Sequence, residues 1–105
     1  MGNDFRMTLQ TQMVLRVLLS DLLGEHYGLE IAKEAGLPSG SIYPILARLE
    51  TAGWITSDWE DIDEAAEGRR RRRYYRLTSE GRQKALEALE STKRKMFPEL
   101  SGVQA

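Results

Sequence analysis

GSIYPILARLE, residues 40–50 of this 105-residue chain, predicts a short helix with two unlike faces. The helix is expected over residues 41–52, with Ser41 capping its start and Gly53 ending it. Its apolar residues follow the i, i+3, i+4, i+7 spacing of a buried face: Ile42, Ile45, Leu46 and Leu49. The opposite face carries small, aromatic and polar groups with little charge: Tyr43, Pro44, Ala47, Arg48 and Thr51. Such a helix is suited to a DNA groove, although the stretch alone fits an ordinary amphipathic helix equally well.

Two helices are predicted before this segment. One spans residues 8–23, capped by Thr8 and ended by Gly24, and a shorter one spans residues 27–35 and is ended by Gly36. The connection to the next helix is short and rich in Gly, Pro and Ser, which are turn residues. Two helices joined by a tight turn, the second with a polar outer face, are the sequence outline of a helix-turn-helix.

Two strands and a last helix are predicted after it. Residues 54–59 are β-branched and aromatic, with apolar and polar residues roughly alternating, and a second strand at residues 72–77 follows a polar loop. Thr78 is expected to cap a helix that is terminated at Pro98. The order α-α-α-β-β-α defines a mainly α, α+β fold, the winged helix-turn-helix with an added C-terminal helix. The predicted division is a flexible arm (1–7), a DNA-binding domain (8–78), a dimerisation helix (79–97) and a frayed tail (98–105).

The first predicted helix has more apolar residues than one core requires. They point over more than half of its circumference: Leu9, Met13, Val14, Leu15, Val17, Leu18, Leu19, Leu22 and Leu23. Either this helix is the central one of the domain or its second face meets another chain. In so small a protein the second interpretation is favoured.

The predicted hairpin is strongly polarised in charge. Six acids and no base lie between residues 58 and 67, and five consecutive arginines follow: Arg69, Arg70, Arg71, Arg72 and Arg73. The two blocks cancel, so the formal net charge of −1 conceals a positive patch. Some pairing across the hairpin is expected, with Asp58 meeting Arg73 or Arg76. Because strand residues alternate between faces, five successive arginines cannot all meet one acidic strand, and some of residues 69–73 are expected to contact phosphates.

Several classes of protein are excluded or disfavoured. The chain has no cysteine, which excludes disulfides and thiolate chemistry, and its single histidine, His26, has no partners at metal-ligand spacing. No catalytic constellation is present, so an enzyme is not expected, and no cofactor or metal is predicted. No apolar run is long enough to span a membrane. A cytoplasmic location is expected.

The sequence resembles the PadR family of transcriptional regulators over about residues 13–90. The resemblance is carried by the helix GSIYPILARLE at residues 40–50, by GWI at residues 53–55, and by the junction RRRYYRLTSEG at residues 71–81. It implies a winged-helix repressor that binds a pseudo-palindromic operator in double-stranded DNA as a homodimer.

The resemblance also implies which residues form the sites. Base-facing candidates are Ser41, Tyr43, Pro44 and Arg48, phosphate-facing candidates are Ser39 and Gly40, and the wing contributes Arg69, Arg70, Arg71, Arg72 and Arg73. Members dimerise through the first and last helices, which assigns the dimer interface to Leu9, Met13, Leu86, Leu89, Lys93, Met96 and Phe97.

The sequence departs from the family pattern at the wing and at its C-terminal end. Relatives commonly have proline where this chain has Arg70, so the wing tip is expected to be more flexible and more cationic. The chain resembles a minimal member without a larger effector domain, and it leaves open whether a small-molecule effector binds. Two alternatives remain: a winged-helix module whose arginines bind an acidic partner protein, and a small-molecule sensor that has DNA as its output.

Overall fold

The computed structural model describes residues 7–101 and, for the last two of these, the backbone alone. The predicted arm lies outside the described residues except for Met7, which packs against the core. The helices in chain order are α1 (Leu9–Ser20), α2 (Gly28–Ala35), α3 (Ser39–Thr51), α4 (Glu64–Glu67), α5 (Ser79–Met96) and α6 (Pro98–Ser101). None of the helices in this part of the chain is long and apolar enough to cross a membrane.

Three helices and one side of a small sheet enclose the core. The inner faces of α1, α2 and α3 supply most of the side chains that are fully removed from water, including Leu15, Leu18, Ile31, Ile42 and Leu49. The predicted apolar face of residues 42–49 is therefore confirmed as buried.

The sheet is antiparallel and has three strands in the order β1-β3-β2. The strands are β1 (His26–Tyr27), β2 (Ile55–Trp59) and β3 (Arg73–Leu77). Strand β2 pairs with β3 from Ile55 opposite Leu77 to Trp59 opposite Arg73. The hairpin β2–β3 is the wing of a winged helix. Strand β1, which leads directly into α2, pairs with β3 on the side opposite β2.

Thr78 is the N-cap of α5, as predicted, and its hydroxyl accepts the N–H of Gly81. The same hydroxyl donates to the carbonyls of Gly53 and Trp54 at 2.8 and 3.1 Å, so one side chain joins α5 to the start of β2. Only Gly81 and Ala85 of α5 are buried, both in its first two turns. The rest of α5 extends beyond the core.

The first predicted helix ends earlier than expected, at Ser20 rather than at Leu23. The carbonyl of Asp21 accepts the N–H of Gly24 at 3.2 Å and lies 2.7 Å from Nε2 of His26. This turn redirects the chain so that β1 can pair with β3. The prediction that Tyr27 opens α2 is wrong for the same reason, because Tyr27 belongs to β1.

Helix α3 starts earlier than predicted. Pro38 is its N-cap, and the N–H of Ser41 donates to the Pro38 carbonyl at 2.9 Å, so Ser41 is not the cap. Pro44 consequently lies inside the helix, where it cannot donate to the carbonyl of Gly40. The carbonyl belongs to Gly40, an exposed residue without a side chain in the first turn of α3, so water can donate a hydrogen bond to it.

Besides β1, two short helical elements were not predicted. Part of the polar loop between the strands folds into α4, because Asp63 accepts the N–H groups of Ala65 and Ala66 and Gly68 ends the turn at φ 71°. In the predicted frayed tail, Pro98–Ser101 form the helical turn α6, and residues 102–105 lie outside the described residues.

Candidate nucleic-acid interface

The outer face of α3 is exposed along its length. The residues predicted to face DNA are exposed on it, except Ser41, which is half-buried: Ser39, Gly40, Ser41, Tyr43, Pro44 and Arg48. The first turn carries no acidic residue, so its positive dipole end is not neutralised from within the helix. Exposed backbone N–H groups at such an end can receive a phosphate.

Tyr43 lies against the start of α2. A Cβ atom added to Gly28 would lie 2.6 Å from Oη of Tyr43 and 2.8 Å from its Cε1 atom, so the phenol ring occupies the space that any larger residue would need. Gly28 is itself buried. The missing side chain of Gly28 therefore determines where the most prominent group on α3 can sit.

A cleft of about 210 Å³ separates this part of α3 from the wing. Tyr43 borders it from α3, Arg73 and Tyr75 from β3, and Glu30 from α2. The exposed face of α3 and the base of the wing are thus neighbours, which places an aromatic hydroxyl and a guanidinium on one continuous surface.

Glu60 gathers two of the five arginines. This carboxylate follows β2 and is only 7% exposed. Arg69 binds it with both terminal nitrogens, Nη1 to Oε1 at 2.6 Å and Nη2 to Oε2 at 3.1 Å. Arg72 donates its backbone N–H to Oε1 at 2.9 Å and its Nη2 to Oε2 at 3.2 Å. These hydrogen bonds hold the pKa of Glu60 far below its usual range.

The same cluster includes Tyr27. Its hydroxyl lies 2.7 Å from Oε1 of Glu25 and 3.2 Å from Oε2 of Glu60, and the Arg72 guanidinium lies over its ring at 3.9 Å. Burial, assisted by the two nearby carboxylates, raises the pKa of Tyr27 to about 12. We call Glu60, Arg69, Arg72 and Tyr27 the Glu60 cluster.

The remaining wing arginines have other surroundings. Arg70 and Arg71 are exposed, and the backbone N–H of Arg71 donates to Glu64 at 2.7 Å. Arg73 donates to Oγ of Ser57 at 3.0 Å and lies 5.0 Å from the centre of the Trp59 ring. The pairing of acid with arginine across the hairpin is therefore made by Glu60.

The pairing expected at Asp58 is not what the structure has. Oδ1 of Asp58 accepts the backbone N–H of Trp59 at 2.8 Å. Arg76, one of its expected partners, donates to the carbonyl of Gly24 and has Glu25 at 3.9 Å.

The predicted dimer residues mostly line one groove between α1 and α5. Its volume is about 440 Å³, and its lining includes Leu9, Met13, Leu89, Lys93 and Phe97. Leu86 and Met96, the other two predicted residues, are exposed on α5. Leu9 is 66% exposed and Phe97 47%, so the groove is an apolar surface open to solvent.

Sequence reasoning missed Glu60 and Gly28. Glu60 resembled the other acids of its block, and only its position directly after a strand separated it from them. Gly28 is the first residue of α2, whose helical pattern the sequence explains without any contact to α3, so nothing local indicated that contact. Within residues 7–101, no group of His, Asp and Glu side chains could hold a metal ion.

Three helices followed by an arginine-bearing hairpin define a winged helix-turn-helix of the kind that DNA-binding transcription regulators use. The sequence profile of the transcriptional regulator PadR-like family matches residues 14–87. The chain belongs to this family, whose members are transcriptional regulators and not enzymes. None of the curated proteins searched matches the sequence.

Solved structures have the same fold. A PadR family transcription regulator from Clostridium difficile is 26% identical at a TM-score of 0.67, covering 89% of this chain and 94% of its own. A PadR-like regulator from Bacillus cereus is 21% identical at 0.67, covering 90% and 91%. A mutant of MepR from S. aureus, bound to an oligodeoxyribonucleotide, is 21% identical at 0.67, covering 93% of this chain and 66% of MepR. The chain thus spans about two-thirds of MepR and nearly all of the other two.

Proposed function

We propose that this chain is a sequence-specific repressor that binds a pseudo-palindromic operator as a homodimer. The observation that carries the proposal is the cleft shared by Tyr43 of α3 and Arg73 of the wing. A helix whose exposed face is uncrowded by charge can enter the major groove, while the adjacent cations contact the flanking backbone. Membership in a family of transcriptional regulators favours DNA over an acidic protein as the partner.

In this proposal α3 reads base edges and the wing contacts phosphates or the minor groove. Arg48 is exposed in the last turns of α3, and a guanidinium there can make a bidentate contact with guanine. Ser39 and Gly40, in the first turn, are placed to meet phosphate through backbone N–H groups.

The homodimer is supported by the groove between α1 and α5. Its apolar lining is exposed in the single chain, and α5 extends past the core that it helps to close. A second copy of the same two helices would cover this surface, as expected of a two-fold interface. Two α3 helices would then face two half-sites about one DNA turn apart.

The replacement Arg48→Ala tests the reading role of α3. We expect operator affinity to fall by about 1–3 kcal/mol while affinity for random duplexes changes little, because a lost base contact affects only the sequence that supplies the base. Fluorescence anisotropy with both duplexes measures the two affinities. An equal loss on both would remove Arg48 from the reading residues, and an absence of preference in the unaltered protein would favour the protein-interaction module.

Repression is tested in a reconstituted transcription assay. The promoter carries an operator identified by selecting bound duplexes from a randomised library. Added protein should lower the transcript level, and Arg48→Ala should require a higher concentration for the same effect. A rise in transcript with added protein would assign the chain as an activator.

A further inference from the structure

We infer that Glu60 is a positioning residue that divides the arginine run of the wing into two groups with different roles. Arg69 and Arg72 hold the wing together. Arg70, Arg71 and Arg73, none of which forms an ion pair with a carboxylate among the described residues, are the wing cations available to DNA. This inference rests on the proposed function, and it narrows the set of five arginines that the family resemblance implied.

The Glu60 carboxylate has hydrogen-bond donors at both of its oxygens. Both of its oxygens accept from both arginines, and Oε2 also lies 3.2 Å from the Tyr27 hydroxyl. A carboxylate with so little exposure is unfavourable once its cations leave, because nothing replaces the lost attraction. A phosphate must therefore compete with a partly buried ion pair to recruit Arg69 or Arg72.

Arg70 and Arg71, between the two strands of the hairpin, differ from Arg69 and Arg72 in their surroundings. The side chains of Arg70 and Arg71 are exposed, and no ion pair involves either of them in the part of the chain that the structure describes. These two cations can move onto a phosphate without breaking an existing contact. They border the outer side of the wing with Trp59 and Glu64.

The Glu60 cluster also connects the wing with the start of α2. Arg72, the residue directly before β3, pairs with Glu60, stacks on Tyr27 and lies 3.7 Å from Glu30. Tyr27 directly precedes Gly28 and Glu30 lies two residues after it, and Tyr43 of α3 packs against Gly28. Glu60 therefore holds the wing at a fixed place beside the reading helix, so its charge acts on DNA binding through two residues that do not themselves touch DNA.

The test measures the salt dependence of binding to a random duplex, so it does not require the operator to be known. Each phosphate contact contributes about 0.9 to the slope of log affinity against log salt concentration. In the wild-type background, Arg70→Ala and Arg71→Ala should each lower this slope by about one, and Arg69→Ala should leave it unchanged. In the Glu60→Gln background, Arg69→Ala should lower the slope by about one, because the guanidinium has been released.

The matched control is Asp61→Asn, which makes the same change of charge at the exposed neighbouring position. Glu60→Gln should steepen the slope more than Asp61→Asn does. An equal effect of Arg69→Ala in the two backgrounds, or equal slopes for Glu60→Gln and Asp61→Asn, would overturn the inference.

A measurement without DNA separates failure of this inference from failure of the proposed function. The backbone N–H of Arg72 donates to Glu60, so its hydrogen exchange reports the cluster directly. Faster exchange in Glu60→Gln than in Asp61→Asn supports the positioning role even if no operator is found, and equal exchange overturns it. The proposed function fails separately, if the wild-type protein shows no preference for any duplex.

Discussion

The absence of a Cβ atom at Gly28 determines where the Tyr43 ring lies on the exposed face of α3. A Cβ atom at residue 28 would overlap the phenol ring, and since that ring belongs to a half-exposed side chain it can swing away without unfolding the domain. The identity of residue 28 thus controls a group on another helix. If α3 reads DNA as proposed, the first residue of α2 therefore influences DNA recognition.

Gly28→Ala should therefore alter recognition more than stability. We expect operator affinity to fall by about 1 kcal/mol, because Tyr43 leaves its place, while random-duplex affinity is retained. Anisotropy titrations measure both affinities. In a Tyr43→Ala background the same replacement should have no further effect, and a full additional loss there would show that Gly28 acts by another route.

The Glu60 cluster predicts a dependence of stability on pH. The pKa of Glu60 is lowered from its usual 4.5, so the cluster stabilises the fold fully above about that pH and loses this contribution as the pH falls further. Glu60→Gln should be less stable than wild type at neutral pH, and the difference should shrink below pH 4.5. Urea unfolding across the acid range measures it, and a difference that grows on acidification would contradict the assignment.

Which residues of α3 are buried and which are exposed could be predicted from the sequence, because helical spacing alone separates the two faces of the helix. The partners of the arginines could not. Six acids compete for five arginines, and the choice of Glu60 depends on a position at the end of β2 that is partly removed from water. Periodicity contains no information on which acid that is.

At the scale of the elements, the first turn of α5 is the part of that helix that packs most closely on the rest of the fold. Thr78 bonds two carbonyls of the segment before β2, and Gly81 packs directly on the backbone of Trp54. A Cβ atom at residue 81 would overlap the Trp54 carbonyl, which is backbone and cannot rotate aside. The close approach of helix and strand requires glycine here.

Gly81→Ala should consequently destabilise the domain by about 3 kcal/mol, toward the upper end of overpacking effects. Chemical denaturation measures the change. Gly40→Ala is the matched control, since it lies in the first turn of α3 with nothing within 4 Å of the added Cβ, and it should stabilise by up to about 1 kcal/mol. Equal effects of the two replacements would contradict the close packing.

Element boundaries followed the sequence at the cap residues Thr8 and Thr78 and at Gly36, but not at the predicted cap Ser41 or at the predicted helix end before Gly24. They failed where tertiary pairing decides. The end of α1 is set by the turn that brings β1 to β3, and a two-residue strand has no periodicity of its own. Helix α4 was missed because a single helical turn in an acidic loop resembles a coil.

At the scale of the whole molecule, the open groove between α1 and α5 leads to a prediction about assembly. Leu89→Arg should convert the proposed dimer to a monomer and weaken operator binding, because a charge would enter the apolar contact proposed between copies. Sedimentation measures the mass. Leu23→Arg is the control, since Leu23 is 86% exposed and outside the groove lining, and it should leave the dimer intact. A monomeric wild-type protein would contradict the interface.

The most direct test of sequence-specific recognition is selection of bound duplexes from a randomised library, followed by anisotropy and stoichiometry on the selected sequence. We expect a pseudo-palindrome with half-sites about one DNA turn apart, bound by two protomers. We also expect this sequence to be bound about a thousand-fold tighter than random DNA. Selection that enriches no sequence, with only salt-dependent binding to every duplex, would contradict sequence-specific recognition.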